Sequence, residues 1–239
     1  MKIYIVIPAH NEEYYITKTL ESLVNQQLKP AQVVVVNDNS TDRTSEIVNN
    51  FTQQYAWIQQ VHKKSSEEHL PGEKIVEAFY EGYGVLDEDY DIICKYDADM
   101  VFEPNYLLKL SQHFKENNRL GMAAGQCYIK KGNQWAVENL NKEDHIRGSL
   151  KAYRKACFLE MGKIAKSIGW DTLDELMAQY HGWELKVDPT LKVKHLKPTG
   201  FNYSPGAQTH CNTSLLDITD HQDVQRLPLA AVWPLAMAV

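Results

Sequence analysis

A chain of 239 residues, 44% of them hydrophobic, is long enough to bury one sizeable core. Its formal net charge of -6 and pI near 5.8 leave no basic field for nucleic acid, and its lysines are spread along the chain rather than clustered. The opening MKIYIVIPAH has too short an apolar run for a signal-peptide core or a membrane span, so the start reads as cytosolic. The four cysteines, Cys94, Cys127, Cys157 and Cys211, show no C-x-x-C spacing and read as reduced core thiols.

In chain order, Lys2 to Ile7 is an apolar run stopped by Pro8, as expected of a strand covered on both faces. A helix follows, with Asn11 as its cap, Glu12 and Glu13 in its first turn, and Ile16, Leu20, Leu23 and Val24 on one stripe. Val33 to Val36 is a second β-branched run; the turn-rich NDNSTDRT then leads into a helix with Ile47, Val48 and Phe51 inward. Residues 57–62 read as a third strand, 71–83 as a third helix on Ile75, Phe79 and Tyr83, and 90–96 as a fourth strand. This alternation predicts a doubly wound, mostly parallel α/β sheet. From about residue 100 the rhythm changes: 121–130 and 184–196 read as strands around a helix at roughly 172–181, a mixed α/β half that completes the same sheet.

Ligands of open α/β sheets bind beyond the carboxyl ends of the strands, so the polar residues there come first. No G-x-G-x-x-G and no P-loop motif is present. In CKYDADM, Asp97 and Asp99 sit one residue apart; on an extended strand both carboxylates face one way, with Ala98 opposite. Their repulsion, roughly 1 to a few kcal/mol in a partly desolvated cleft, is removed by a hard divalent cation, magnesium or manganese, that completes its shell with water and phosphate. Two solvated turn aspartates are the alternative. Asp38 suits hydrogen bonds from a base or ribose, or an Asx turn with Ser40 or Thr41 capping the next helix. Lys74, in HLPGEK, is a phosphate contact at a helix N-terminus or a surface lysine.

The stretch GWDTLDELMAQYHGW places Asp171 at a helix start and Asp174 one turn in, either as dipole-matched acids or as a base that takes a proton from a positioned alcohol. His195 ends the alternating run LKVKHL, as hydrogen-bonded structure or, beside the aspartate pair, as a ligand.

Taken in order, Ile5 to Glu13, Val34 to Thr44, Tyr96-Asp97-Ala98-Asp99, Asp171 and His195 resemble the family-two glycosyltransferases, in particular bacterial members that build surface polysaccharide. The resemblance covers roughly residues 1–200 and implies an A-type, Rossmann-like fold. It divides the chain into a nucleotide-binding half at about 1–100 and an acceptor and catalytic half at about 101–200, followed by a tail, 201–239, of unassigned structure. It implies that Pro8, Asn11, Glu13, Asp38, Lys74 and Asp97 line the nucleotide pocket. Asp97, Asp99 and His195 would hold Mn2+ or Mg2+. Counting back from the Gly182-Trp183 turn selects Asp171 as the base, with Asp174 its rival; Trp170 stands where the family usually has Glu.

The implied reaction is metal-dependent, inverting transfer of a hexosyl group from a nucleoside diphosphate sugar, UDP-linked, to the hydroxyl of a saccharide or lipid-linked acceptor in polysaccharide or glycolipid synthesis. A sugar nucleotidyltransferase and a non-catalytic nucleotide-binding protein are the competing readings. The expected location is the cytoplasm. The apolar end LPLAAVWPLAMAV reads as an interfacial segment at the inner face of a membrane, a subunit contact or an altered end.

Overall fold

The computed structural model of the protein describes residues 1–64, 73–138 and 145–197. The tail at 201–239, Cys211 and the HLPG stretch before Lys74 lie outside the described residues.

The elements run β1 (Ile3–Ala9), α1 (Ile16–Val24), β2 (Gln32–Asp38), α2 (Thr44–Gln54), β3 (Ile58–Lys63), α3 (Glu73–Tyr83), β4 (Ile92–Tyr96), β5 (Met100–Phe102), α4 (Tyr106–Glu116), β6 (Leu120–Lys131), β7 (Gln134–Val137), β8 (Leu150–Arg154), α5 (Lys155–Glu160), α6 (Trp170–Tyr180) and β9 (Glu184–His195). The runs at Ile3–Ile7, Val33–Val36 and Ile92–Tyr96 are buried, as continuous apolar strands between two helical layers must be.

The strands form one nine-stranded sheet in the order β3-β2-β1-β4-β8-β6-β9-β5, with β7 paired to β6. β3, β2, β1 and β4 are mutually parallel. The expected mixed half follows: β8 is antiparallel to both β4 and β6, β6 and β9 are parallel, and β5 is antiparallel to β9. The chain steps outward from β1 to β3 and then returns to place β4 on the other side of β1. Right-handed crossovers therefore put α3 on the face opposite α1 and α2, and the loops diverge at the β1/β4 junction. The carboxyl ends of β1, β2, β4, β6 and β9 all reach one edge, as do the starts of β5 and β8. That edge carries the site.

Several local expectations change. Asn11 does not cap α1, which begins at Ile16; with φ 54 it adopts the left-handed conformation that asparagine tolerates and links two loops instead. At α2, Asp42 rather than Ser40 or Thr41 accepts from the Thr44 amide, at 2.9 Å. β5, α4, β7, β8 and α5 were not expected. Met1–Leu196 form one compact unit. The thiols of Cys94, Cys127 and Cys157 are free and buried, and no helix among the described residues is long and apolar enough to cross a membrane.

The β6–β9 ladder shifts register between Gly125 and Gln126, so that Gly125 pairs with Asp188 while Gln126 pairs with Lys192. The three extra residues on β9 bulge toward Gly125, where a Cβ would come within 2.1 Å of the Leu191 carbonyl oxygen. Asp188 anchors the bulge, accepting from the Thr190 amide at 2.8 Å and lying 2.6 Å from His113 Nε2. The Leu191 backbone on one side and the buried Tyr106 ring at 2.8 Å leave little room to yield. Gly125→Ala is expected to destabilise the fold by about 1–3 kcal/mol or more, read as a lowered midpoint in thermal or urea unfolding.

Candidate active site

The β1–α1 and β2–α2 loops meet at the carboxyl edge because β1 and β2 pair in register up to Ala9 and Asn37. They are then laced together. The Asn11 amide donates to Ser40 Oγ at 3.0 Å, and Asn11 Oδ1 accepts from the Thr41 amide at 2.8 Å. The Glu13 amide donates to Asp42 Oδ2 at 3.0 Å, and Glu13 Oε2 accepts from the Arg43 amide at 3.2 Å. His10 donates through Nδ1 to the carbonyl oxygen of Asp38. Pro8 lies near the end of β1, Asp38 is buried at the end of β2, and Lys74 lies in the first turn of α3.

The Asp97-Ala98-Asp99 segment is a turn between β4 and β5, not an extended strand, so alternation along a strand does not orient its two carboxylates. The Thr19 hydroxyl donates to the Ala98 carbonyl at 2.6 Å and fastens this turn to α1. Each charge has a counterpart. Lys95 Nζ pairs with Asp97 Oδ1 and also donates to the Gly148 carbonyl at 2.9 Å. Asp99 is buried, with Oδ2 3.3 Å from Nε2 of His195. His195 Nδ1 lies 2.7 Å from Glu138 Oε2, which Arg147 meets at 3.2 Å.

Burial alone would lower the His195 imidazole, but Asp99 and Glu138 outweigh it and raise it to about 9. Both ring nitrogens of His195 face carboxylates, Nδ1 toward Glu138 and Nε2 toward Asp99, so Nε2 would serve a metal only by giving up its proton while Glu138 holds the ring in place. Asp99 and His195 thus make an oxygen and nitrogen pair suited to a hard or borderline divalent ion. The three-residue set expected at Asp97, Asp99 and His195 is not assembled, since no cluster of three ligating side chains exists among the described residues and Lys95 engages Asp97.

The second acidic group lies at the start of α6, where Gly169 at φ 71 turns the chain into the helix. The Asp171 side chain is about a third exposed, and its Oδ2 is 3.8 Å from His145 Nε2. His145 holds the Asp171 carboxyl below its usual range, against the effect of burial. On its other side His145 lies 3.2 Å from Glu175, which also accepts from the Ile146 amide at 2.8 Å. Asp171 and Glu175 raise the His145 imidazole to about 9. Asp174 is different. Its side chain is fully enclosed, 2.6 Å from Lys151 Nζ and hydrogen-bonded by the Tyr153 hydroxyl, and burial pushes its carboxyl up to about 6.

Sequence reasoning passed over Lys95, Lys151, His145, Glu138 and Glu175. Lys95 left a trace, a cation inside the apolar run Ile92–Tyr96. His145 and Glu138 lie on connecting segments with no period to mark them.

The glycosyl transferase family 2 model matches residues 4–165. The chain belongs to that family. This family-two chain is 35% identical over 130 residues to the probable glycosyltransferase YdaM of Bacillus subtilis, a match covering 54% of the chain and 30% of the relative. The chain therefore spans less than a third of that relative's length. S. aureus TarS residues 1–349, solved with UDP-GlcNAc, superposes with a TM-score of 0.66 at 21% identity, over 99% of this chain and 67% of that one. GalNAc-T7, solved with UDP, GalNAc and Mn2+, superposes with a TM-score of 0.67 at 14% identity, over 84% and 45%. These likenesses confirm the A-type glycosyltransferase fold.

The raised histidines set the stability profile above neutrality. A group whose pKa rises on folding stabilises fully below its unfolded value, near 6.5, and that stability is lost as pH climbs through about 9. Asp174, at about 6, is already ionised over this window and adds no slope. The melting temperature should fall from about pH 7 to about pH 9.5, and His145→Gln should flatten part of that fall in scanning fluorimetry.

Proposed function

We propose that the protein transfers a hexosyl group from a UDP-linked sugar to an acceptor hydroxyl with inversion at the anomeric carbon. The observation that carries this reading is the pairing, at one sheet edge, of an ionised and partly exposed carboxylate, Asp171, with a carboxylate and imidazole pair, Asp99 and His195. UDP and a UDP-sugar bound to proteins of the same fold, one of them solved with Mn2+, support a nucleotide diphosphate at the crevice and a divalent ion beside it. Family membership favours glycosyl transfer over making the sugar nucleotide.

In this reading Pro8, Asn11, Glu13 and Asp38 shape the nucleotide end of the crevice, with Asp97 and Lys74 toward the diphosphate. Asn11 and Glu13 act by holding the two loops together. Asp99 and His195 would hold Mn2+ or Mg2+, which supplies charge to offset the departing diphosphate. Asp171 takes the proton from the acceptor hydroxyl as it attacks from the face opposite the leaving group, and direct displacement of this kind inverts the centre. Asp174 is a poor base here, because Lys151 and Tyr153 occupy both of its oxygens. The acceptor is a saccharide or lipid-linked saccharide, and the reaction is placed on the cytoplasmic side.

A screen of nucleotide sugars for thermal stabilisation, with and without Mn2+, tests the donor class, because a ligand of the folded state raises its melting temperature. No shift with any UDP-linked sugar would remove the donor assignment. Asp171→Asn is expected to lower transfer by about 100- to 10,000-fold while Mn2+-dependent UDP binding is retained, measured by product formation and calorimetry. Transfer at the normal rate in that variant would reject the base. Asp99→Ala should weaken both UDP binding and turnover and abolish their response to Mn2+.

A further inference from the structure

Lys95 on β4 and Lys151 on β8 are direct neighbours in antiparallel register, so their side chains leave the same face of the sheet side by side. Both are removed from water, with side chains 2% and 0% exposed. Like charges placed directly opposite one another destabilise a sheet. Separate acids serve each ammonium. Lys95 takes Asp97, while Lys151 takes Asp174 at 2.6 Å, Glu175 at 3.3 Å and the Asp171 carbonyl. Both ammonium groups lie close to one ring, the Trp170 indole. The Lys95 ammonium lies 5.2 Å from the ring centroid and that of Lys151 lies 5.6 Å away, both within the range of attraction to an aromatic face.

We propose that Trp170 is a positioning residue whose ring holds the Lys95 and Lys151 ammonium groups together and so keeps the Asp97–Asp99 turn at a constant separation from the Asp171 end of α6. Lys95 carries this constraint to Asp97, and Lys151 carries it to the backbone of Asp171. Gly148 closes the remaining side. A Cβ there would stand 3.0 Å from the indole edge and 3.2 Å from Asp171 Cβ, so the ring has little room to slide. Trp170 itself is 7% exposed. Trp170 belongs to the buried apolar core, and two ammonium groups lie within reach of its ring as well. The inference rests on the proposed reaction, with Asp171 as base and the diphosphate at the Asp97–Asp99 turn.

The test is site-specific replacement of Trp170 by tryptophans bearing one to four ring fluorines, which drain electron density from the ring face while barely changing its shape, so the fold is retained. Melting temperature, UDP affinity with Mn2+ by calorimetry, and hydrolysis of UDP-N-acetylglucosamine are measured on each protein. The melting temperature and log kcat are expected to fall stepwise with fluorine number, kcat by roughly tenfold across the series, while UDP affinity moves by less than about twofold. A flat melting temperature would overturn the ring–cation contact, whatever the donor. A loss of UDP affinity matching the loss of kcat would overturn the spacing role. Asp171→Asn is run beside the series. Normal hydrolysis in that variant rejects the base alone, whereas an inactive Asp171→Asn with a flat series rejects the role of Trp170 alone.

Discussion

Charge compensation at the carboxyl edge of the sheet is the constraint on which the rest depends. Asp97, Asp99, Glu138, Asp174 and Glu175 gather there, several of them out of water, where an uncompensated carboxylate would cost several kcal/mol. The cations that balance them come from the sheet itself and from the segment entering β8: Lys95, Lys151, Arg147, His145 and His195. Lys95, Lys151 and His195 sit on strands, which hold them more rigidly than surface side chains would be held. Their geometry in turn fixes which acids remain available. Asp174 is consumed by Lys151 and Tyr153, while Asp171, three residues earlier on the same helix, keeps an exposed face.

Topology decides that these residues meet at all. The return of the chain across β1 to form β4 opens the crevice, and the mixed half brings β8 and β9 alongside so that Leu150 and His195 reach the level of Tyr96 and Met100. The bulge at Pro189 to Leu191 belongs to the same arrangement. By taking up three residues it resets the β9 register, and the resumed ladder ends with Ile129 opposite His195. The irregularity thus sets the height of His195 at the sheet edge.

The first hundred residues were largely legible because their strands are all-apolar and their helices carry one stripe, so period and composition agree. The second half was not. β8 reads Leu-Lys-Ala-Tyr-Arg, a charged pentapeptide that no pattern would bury, yet Lys151 within it is enclosed because acids from α6 meet it there. The helix α4 does carry buried Tyr106, Leu107, Leu110 and Phe114 at helical spacing, and it was passed over beside the aspartate motif. The local shape of the aspartate pair was misjudged: a turn and two dedicated counterions, Lys95 and His195, replace the extended strand and the bare repulsion.

Residue order alone was enough to establish the family, the parallel half of the sheet and the acids at its edge, since each depends on local period or on a short motif. Only the folded chain chose among those acids and supplied their partners. Lys95 and Lys151, 56 positions apart in sequence, become neighbours through strand pairing, and His195 meets Asp99 across 96 residues. Such pairings are long-range electrostatic choices made by sheet register, and local sequence carries no record of register between distant strands.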